Sequence, residues 1–368
     1  MACDKKLVAK IVDSNILTFV ETFMLILSTI SIPVLFHMFQ RCKNSKLFHF
    51  NIRLISAFHC LCLIIHCVAR VFQHGSDLFL YFSHIPICKK VPSIQRCLST
   101  RIPYIFGLFC ASYSTVFMVI ERTIATKSYK KYENRHKTLG CMLILGQIFM
   151  GGATTFAIFY KFDFQNAQEF CTGSQSSDPY FLIIPEAVAI LSNVLAFFQF
   201  GRLMSINRKI RVGSSSNNLS QKYQIEENLN VVNILRAFTK CDFIFILIYF
   251  TMGIPFHLIG KHMDSAEYYA LFEVIYFVPL YSLIMPAYIY RFSRKEKRTT
   301  KASRRKVERA YALDTRWYKI GGKSEKIMAE YEEACRKFHR DIFMVEIKVN
   351  PDNAEETLLK WLRVDEQL

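Results

Sequence analysis

Long apolar stretches alternate with short polar stretches along most of the chain. A helix needs about 20 predominantly apolar residues to cross a bilayer core about 30 Å thick. By that criterion the pattern predicts seven transmembrane helices, at 16–39, 50–72, 100–124, 139–160, 180–203, 237–260 and 268–290. Several contain a charge or a proline, which membrane helices tolerate when the group faces the interior of a bundle. We therefore expect an all-α fold in which seven transmembrane helices pack as one domain.

The polar connections between these helices differ in their positive charge. Those at 40–49, 127–137, 202–235 and 291–306 contain three, five, five and nine Lys or Arg residues. The alternating connections contain three before the first helix, three between the second and third, none at 162–179, and Lys261 after the sixth. Cytoplasmic connections carry the excess of Lys and Arg. We therefore predict an extracellular amino terminus at 1–15, a membrane domain at 16–290 and a cytoplasmic tail at 291–368.

Composition agrees with a membrane location. Hydrophobic residues make up 52% of the chain, with 33 Phe and 18 Tyr, which is too much apolar surface for soluble domains. The net charge of +17 lies in short clusters between apolar segments, whereas nucleic-acid binding requires a continuous basic face. We therefore predict a multi-pass protein of the plasma membrane with no nucleic-acid partner. The basic run at 291–306 is expected to attract anionic membrane lipids.

The third predicted helix has a distinctive residue near each end. Glu121 and Arg122 lie at its cytoplasmic boundary. Cys97 lies about 37 Å before Arg122 along a helix, which is close to the thickness of a bilayer with its interfaces. Cys171 lies in the cation-free extracellular connection, where conditions are oxidising. A Cys97–Cys171 disulfide is the leading prediction, with Cys88 as a competing partner and two unpaired thiols as the alternative.

Arg122 needs a carboxylate partner in the low dielectric of a membrane junction. Its neighbour Glu121 is one candidate, and Glu226 or Glu227 is another, because helix-forming composition extends the sixth helix back to about residue 219. Separation of the third and sixth helices would break such a contact, which makes it a two-state element that a ligand can bias. The alternative is an arginine that simply extends to the lipid phosphates.

Polar residues in the outer halves of the helices are candidates for ligand contacts, because a bundle cavity with a few convergent polar groups is the usual binding site. They are Glu21, His66, Arg101, Glu186, His257 and Glu273. For each of them the alternative is a hydrogen bond between helices or exposure at the outer interface. Their mixed charge indicates a polar or amphiphilic ligand. Pro255 and Pro286 lack a backbone donor and are predicted hinges in the sixth and seventh helices.

Two patterns imitate other kinds of site. His59, Cys62, His66 and Arg70 share one helical face, but a metal needs a further convergent ligand, and a polar stripe facing the bundle interior is the simpler interpretation. The Gly-Gly-Lys-Ser run at 321–324 has Trp317 where a phosphate-binding loop needs glycine. The chain also shows no arrangement of nucleophile, base and orienting acid at the membrane surface. We expect no enzymatic activity, no metal and no cofactor.

Several short motifs carry a family resemblance. They are Phe-His-Phe-Asn at 48–51, His-Gly-Ser-Asp-Leu-Phe-Leu-Tyr at 74–81, Glu-Arg-Thr-Ile-Ala-Thr at 121–126 with Tyr-Glu at 132–133 and Leu-Gly at 139–140, and Lys-Tyr-Gln at 222–224 with Glu-Asn at 227–228. Together with the seven helices they are similar to the nematode serpentine chemoreceptors of the Sra superfamily. The class most resembled is alpha/beta (Srab), with classes b and e as siblings, and the resemblance covers about residues 16–298.

The resemblance implies a chemosensory G-protein-coupled receptor of a sensory cell. An external small-molecule or peptide cue would bind in or above the bundle, and a heterotrimeric G protein would couple at the inner face. Glu121 and Arg122 would occupy the place of the acidic-Arg pair of rhodopsin-like receptors. The chain departs from those receptors at Thr123, where they have tyrosine, near Pro255, where they have a tryptophan motif, and at 285–288, where Asn-Pro-x-x-Tyr is reduced to Met-Pro-Ala-Tyr. The alternative function is a seven-helix ligand-gated channel subunit or a transporter.

Overall fold

A computed structural model gives the fold of the chain. It describes residues 4–45, 48–127, 137–160, 170–171, 180–213, 219–259 and 263–294, without the side chains at 137, 182, 212–213, 219–227, 250, 254 and 257–259. The regular structure within these ranges is helical, which confirms the all-α prediction. The predicted cytoplasmic tail beyond residue 294 lies outside the described residues.

The helices, numbered in chain order, are α1 (Lys5–Val12), α2 (Asn15–Asn44), α3 (Phe50–Phe82), α4 (Ile94–Lys127), α5 (Lys137–Phe159), α6 (Tyr180–Gly213), α7 (Leu219–Ile259), α8 (Ser265–Ile275) and α9 (278–294). Six spans, formed by α2, α3, α4, α5, α6 and the α8–α9 pair, are long and apolar enough to cross a membrane. The sixth predicted segment lies in α7, which has 41 residues. As the sequence predicted, α7 begins far ahead of its apolar part.

The helices are longer than the apolar segments that identified them. The second segment was expected to end at residue 72, yet α3 continues to Phe82. The added turns contain Gln73, His74 and Asp77, which are all buried. Hydropathy assigns these residues to the end of a span, but within the bundle His74 contacts Arg70 and Asp77 pairs with Arg96. The missed turns therefore mark a polar part of the protein interior.

A short amino-terminal helix precedes the first span. The side chain of Asp4 begins α1 by accepting hydrogen bonds from the backbone N–H groups of Lys6 and Leu7, at 3.0 and 3.2 Å, as is usual for an N-cap. Helix α1 packs against α8, and Lys10 Nζ lies 2.6 Å from Asp264 Oδ2. The amino terminus is thereby attached to the last span of the bundle.

Helix α4 forms the centre of the bundle. It packs against α3, α5, α6 and α7, and 72% of its most apolar stretch is buried, against 33% for α2, α5 and α6. Large apolar side chains such as Phe79 and Phe149, each 74% exposed, cover the outward faces of the surrounding helices. Such a surface is suited to lipid rather than to water.

Two glycines allow helices to approach α4 closely. A Cβ atom at Gly107 would lie 2.5 Å from the carbonyl oxygen of Cys62 on α3, and a Cβ atom at Gly151 on α5 would lie 2.2 Å from Cys110 Sγ. Real side chains do not tolerate such distances. Small residues at these positions bring the backbones together, as in other membrane helix pairs, and they fix the positions of the polar residues that α3 and α4 carry.

The seventh predicted segment is divided into two helices. Helix α8 ends at Ile275, residues 276 and 277 are not helical, and α9 follows from 278. Pro279 lies in the first turn of α9, where a missing N–H is tolerated, and it cannot donate to the carbonyl of Ile275 as a continuous helix would require. The sequence prediction of one uninterrupted helix at 268–290 was wrong. Helix α9 is continuous through Pro286, and α7 is continuous through Pro255.

Candidate functional site

Polar side chains gather at the end of the bundle where α4 carries Cys97. A disulfide joins Cys97 to Cys171, with 5.4 Å between the Cα atoms, and Cys88 is disulfide-bonded as well. Arg101 lies one helical turn after Cys97, and its Nε donates a hydrogen bond to the carbonyl oxygen of Cys171 at 2.9 Å. The disulfide and this hydrogen bond together fix the segment around Cys171 on α4.

A buried charge cluster, which comprises Arg70, His74, Arg101 and Glu273, connects α3, α4 and α8. Glu273 Oε1 accepts from Arg101 Nη2, while Glu273 Oε2 accepts from Arg70 Nη2 at 2.8 Å. Arg70 Nε donates to His74 Nε2 at 3.0 Å, so the other ring nitrogen of His74 carries the proton. All four side chains are at most 1% exposed. One carboxylate therefore bridges two arginines from two different helices.

The same cluster explains why the last span is interrupted. Arg70 Nη2 donates to the carbonyl oxygen of Glu273 at 2.9 Å, and Arg70 Nη1 donates to that of Tyr276. These carbonyls belong to the last turn of α8 and the residue that follows it, where intrahelical donors run out. A cation is also favourable at a helix C-terminus because of the helix dipole. Arg70 thus caps α8 from the neighbouring α3.

Beside the charge cluster lies a small cavity between α4, α6, α7 and α8. Its volume is about 10 Å³, enough for about one water molecule. Five aromatic side chains line it, namely Tyr104, Phe109, Tyr249, Phe272 and Tyr276, together with Arg101 and Glu186. Glu186 is 1% exposed. One of its oxygens accepts from the Tyr276 hydroxyl at 3.4 Å, and the other, Oε2, has no hydrogen-bond partner.

The opposite end of α4 carries a second buried network. Arg122 is fully buried and pairs with its neighbour, since its Nη2 lies 2.6 Å from Glu121 Oε1 and its Nε donates to Oε2. Arg122 Nη1 also donates to Asn228 Oδ1 on α7 at 3.1 Å. The arginine is therefore held inside the bundle, in contrast to the alternative in which it extends to lipid phosphates.

Neutral groups continue this network to α6. Asn228 Nδ2 donates to Asn207 Oδ1 at 2.7 Å and to Thr126 Oγ1 at 3.1 Å, and Asn207 Nδ2 donates to the same hydroxyl at 3.1 Å. We call Thr126, Asn207 and Asn228 the amide cluster. It joins α4, α6 and α7 next to Arg122. The hydrogen bonds among its own three side chains are between uncharged groups, and Asn228 also accepts the bond from the charged Arg122.

Comparison with known proteins identifies the family. The sequence profile of the serpentine type 7TM GPCR receptor class ab chemoreceptors matches residues 2–318. The chain belongs to this family. Among its relatives in Caenorhabditis elegans, serpentine receptor class beta-17 is 26% identical over 272 residues, which cover 73% of this chain and 74% of the relative. Serpentine receptor class alpha/beta-14 is 25% identical over 275 residues, which cover 72% of this chain and 69% of the relative.

These matches confirm the serpentine resemblance that the short motifs indicated. They also agree with the spans of the structure, so this serpentine receptor is a GPCR-like, multi-pass membrane protein. Because the identities are near one quarter, the relatives say little about which individual side chains contact a ligand. The positions of the predicted site residues therefore have to be judged from the structure of this chain.

The structure brings some of the predicted ligand residues of the receptor together. Arg101 and Glu273 contact each other within the charge cluster. Glu186 lies across the cavity from them. His66 Nδ1 bonds to the carbonyl oxygen of Tyr104 at 2.9 Å, which corresponds to the alternative of a hydrogen bond between helices. Glu21 is fully buried, and neither of its carboxyl oxygens has a hydrogen-bond partner.

For three of the predicted site residues the structure gives the helix position but not the side-chain contacts. Glu226 and Glu227 lie on α7 just before Asn228, and His257 lies near its other end, but their side chains are outside the described residues. For Arg122 the described partners are Glu121 and Asn228. Asn228 belongs to a motif that the sequence had already brought to attention, although its contact with Arg122 was not predicted.

The sequence interpretation missed other residues of the site or gave them a different role. Arg70 was recognised only as part of a polar stripe on the second helix, and His74, Asn207 and Tyr276 were not singled out. In the structure the stripe does face the interior, where His59 Nδ1 bonds to the carbonyl oxygen of Ala111 at 3.2 Å. The available signal was the polar stretch at 73–77, which extends the stripe by one turn beyond Arg70.

Proposed function

We propose that this receptor is a chemosensory G-protein-coupled receptor. An external chemical cue binds between the helices at the Cys97 end, and a heterotrimeric G protein couples at the Arg122 end. The observation that carries this proposal is the amide cluster, because its three neutral side chains, together with the Arg122–Asn228 hydrogen bond, join α4, α6 and α7 at one point. Neutral hydrogen bonds contribute only about 0.5–1.5 kcal/mol each and a bond to a charged group about 1.5–3 kcal/mol, so a cue that contributes a few kcal/mol of binding energy is enough to separate these helices.

The proposal includes an orientation and a location. The amino terminus and the disulfide lie outside the cell, the Arg122 end faces the cytoplasm, and the protein is in the plasma membrane of a sensory cell. The excess of Lys and Arg in the connections near Arg122 supports this orientation. Family membership supports the sensory role. Tags that placed the amino terminus in the cytoplasm would contradict the proposed orientation.

Helix α7 is the element that relates the two ends. Tyr249 on α7 lines the cavity, and Asn228 lies about 31 Å away along the same helix. A ligand that enlarges the cavity has to displace the outer part of α7, because α4 is fixed by packing on four sides. Displacement of α7 takes Asn228 away from Arg122 and opens a space at the cytoplasmic end. The ligand thereby shifts the receptor towards a state that binds G protein.

The test needs no known cue, because loss of the amide cluster alone should raise basal activity. Replacement of Asn228 by alanine removes its bonds to Arg122, Thr126 and Asn207, which together contribute at least about 2 kcal/mol. We expect basal nucleotide exchange on a co-expressed G protein to rise by a factor of at least about 30. The matched control is Asn193→Ala, which breaks similar bonds between α6 and α4, to the Ser112 carbonyl and Thr115, far from Arg122.

The two variants separate coupling from general loosening of the bundle. If Asn193→Ala raises exchange as much as Asn228→Ala does, the effect belongs to overall stability and the special role of the amide cluster is wrong. If neither variant changes exchange at equal surface expression, coupling at the Arg122 end is contradicted.

A further inference from the structure

The chemistry of the cavity wall narrows the class of ligand. Two buried polar atoms on this wall have no hydrogen-bond partner, namely Oε2 of Glu186 and the hydroxyl of Tyr104. Both are able to accept hydrogen bonds. Buried polar groups are nearly always satisfied in native proteins, so unpartnered ones beside a cavity indicate a missing partner. That partner has to donate hydrogen bonds.

The arginines next to the cavity do not offer a site for an anion. Arg101 is engaged by Glu273 and by the carbonyl oxygen of Cys171, and Arg70 is engaged by Glu273, His74 and two backbone carbonyls of the α8 end. Among the buried unpartnered atoms of the described residues, none belongs to Arg70 or Arg101. An anionic ligand would have to break the charge cluster before it could bind.

Glu186 stands apart from the ion pairs at this end of the bundle. Arg70 and Arg101 both pair with Glu273. Arg96 pairs with Asp77 at 2.7 Å. Glu186 is an additional carboxyl group on α6, and the described residues place no cation within ion-pair distance of it.

The remaining wall of the cavity is aromatic. Tyr249 and Tyr276 meet edge to face with 5.0 Å between their ring centroids, and Phe272 lies 4.6 Å from Tyr276. Aromatic faces attract ammonium groups, most strongly where water is excluded. A buried carboxylate next to several aromatic rings is therefore a suitable environment for a protonated amine on an apolar body.

The helices around Glu186 have a means of making room. Gly253 on α7 faces Glu186, since a Cβ atom there would be 4.0 Å from Oε2. Pro185 lies next to Glu186 within α6, and Pro255 lies two residues after Gly253 within α7. Each proline removes one backbone hydrogen bond from its helix. The helix turns on both sides of the carboxyl group are thus weakened, by Pro185 in α6 and by Pro255 in α7.

On the basis of the proposed receptor function, we propose that the cue is a protonated amine with a small apolar body, and that its ammonium group binds Glu186 in the cavity between α4, α6, α7 and α8. The ammonium donates to Glu186 Oε2 and to the Tyr104 hydroxyl, and the apolar body displaces the aromatic wall. Entry of the ligand moves α6 and α7 apart at their prolines. The closed cavity in the structure then corresponds to the state without ligand.

Three probes of similar shape test the assignment, namely 2-phenylethylamine, 2-phenylethanol and phenylacetate. The purified full-length receptor is heated in detergent with each probe, and unfolding is followed by reaction of a fluorescent dye with buried thiols such as Cys62 and Cys67, both 0% exposed. We expect the amine to raise the unfolding temperature in a concentration-dependent manner, and to do so at concentrations at least tenfold below those of the other two probes.

Variants locate the effect. Glu186→Gln should weaken the stabilisation by the amine at least tenfold, and Gly253→Leu, which fills the space beside Oε2 but keeps the carboxyl group, should weaken it as well. The matched control Glu267→Gln changes an exposed carboxyl on α8 and should leave it unchanged. Stabilisation by phenylacetate but not by the amine would overturn the proposal. Stabilisation by 2-phenylethylamine that persists in both cavity variants would overturn it as well. So would the absence of any stabilisation by this amine up to millimolar concentration.

This assay does not depend on a G protein, so its result is separable from the receptor hypothesis. Stabilisation by the amine without any nucleotide exchange would contradict the proposed coupling and leave the amine site intact. Exchange that is driven by phenylacetate and not by the amine would support the receptor function and overturn the amine assignment.

Discussion

The two polar ends of α4 are built from different chemistry. At the Cys97 end, charged groups from α3, α4 and α8 bond across helices and a covalent bond reinforces them. At the Arg122 end the described ion pair is between neighbours on one helix, and the described bonds to α6 and α7 are made by amide and hydroxyl side chains, one of which, Asn228, accepts from Arg122. Breaking a buried ion pair costs about 3–5 kcal/mol, whereas a neutral hydrogen bond contributes about 1 kcal/mol. The contrast indicates a firmly held Cys97 end and a more easily separated Arg122 end.

The strongest test of this contrast removes the shared carboxylate of the charge cluster. Glu273→Gln leaves Arg70 and Arg101 buried without a counter-charge, so we expect a loss of about 3–5 kcal/mol. Surface expression should fall sharply, and the thermal unfolding midpoint should fall with it. Glu267→Gln on the same helix is the control, since an exposed carboxyl should change stability by less than about 0.5 kcal/mol. Equal behaviour of the two variants would refute a structural role for Glu273.

Removal of the disulfide should have the next largest effect. Cys97 and Cys171 are separated by 74 positions in the sequence. A disulfide typically contributes about 2–4 kcal/mol to the free energy of unfolding. We expect Cys97→Ser and Cys171→Ser to lower the unfolding midpoint equally, and the double variant to be no worse than either. Additive losses would show that the two cysteines act independently.

A smaller effect is expected within the amide cluster. Asn207 bonds to both Thr126 and Asn228, so Asn207→Ala should raise basal nucleotide exchange by about fivefold, which corresponds to about 1 kcal/mol. In the double variant with Asn228→Ala, basal nucleotide exchange should rise by less than the product of the two single increases, because the two amides share a hydrogen bond. Fully independent effects would mean that the two side chains do not act as one unit.

The smallest effect is predicted at the attachment of α1 to α8. The hydrogen bond from Lys10 lowers the pKa of Asp264 below its ordinary value. A lowered pKa stabilises the fold above the unfolded pKa of about 4, and this contribution is lost as the pH falls through the folded pKa. Wild type should therefore unfold at a slightly higher temperature than Asp264→Asn at pH 7, and the difference should shrink as the pH falls below about 4. A difference that stays constant as the pH falls would contradict the ion pair as its cause.

Much of the fold could be predicted from local sequence because the bilayer imposes it. A run of about 20 apolar residues has few alternatives to a membrane helix, and this located all seven segments. The early start of α7 was also predictable, because helix-forming residues precede its apolar part without a break. The division at residues 276–277 was not, since Pro279 at the beginning of a helix and Pro286 in the middle of one look alike in the sequence.

The site was less predictable than the fold. Glu273 and Arg101 were chosen as ligand residues because they are charged, yet their charges are used on each other and on Arg70. The same selection rule chose Glu186, whose second oxygen has no partner in the structure. Nothing in the sequence distinguishes these cases, because each is a single ionisable residue in an apolar stretch.

The sequence by itself determined that this chain forms seven membrane helices and belongs to the serpentine receptors, since hydropathy and short motifs are properties of adjacent residues. Only the tertiary structure decided the pairing of Arg70 with the α8 end, of Arg101 with Glu273 and of Arg122 with Asn228. These partners lie between 106 and 206 positions apart in the sequence. Which of them meet depends on the rotation of each helix about its axis and on the close contacts at Gly107 and Gly151, and both are set by packing of the whole bundle.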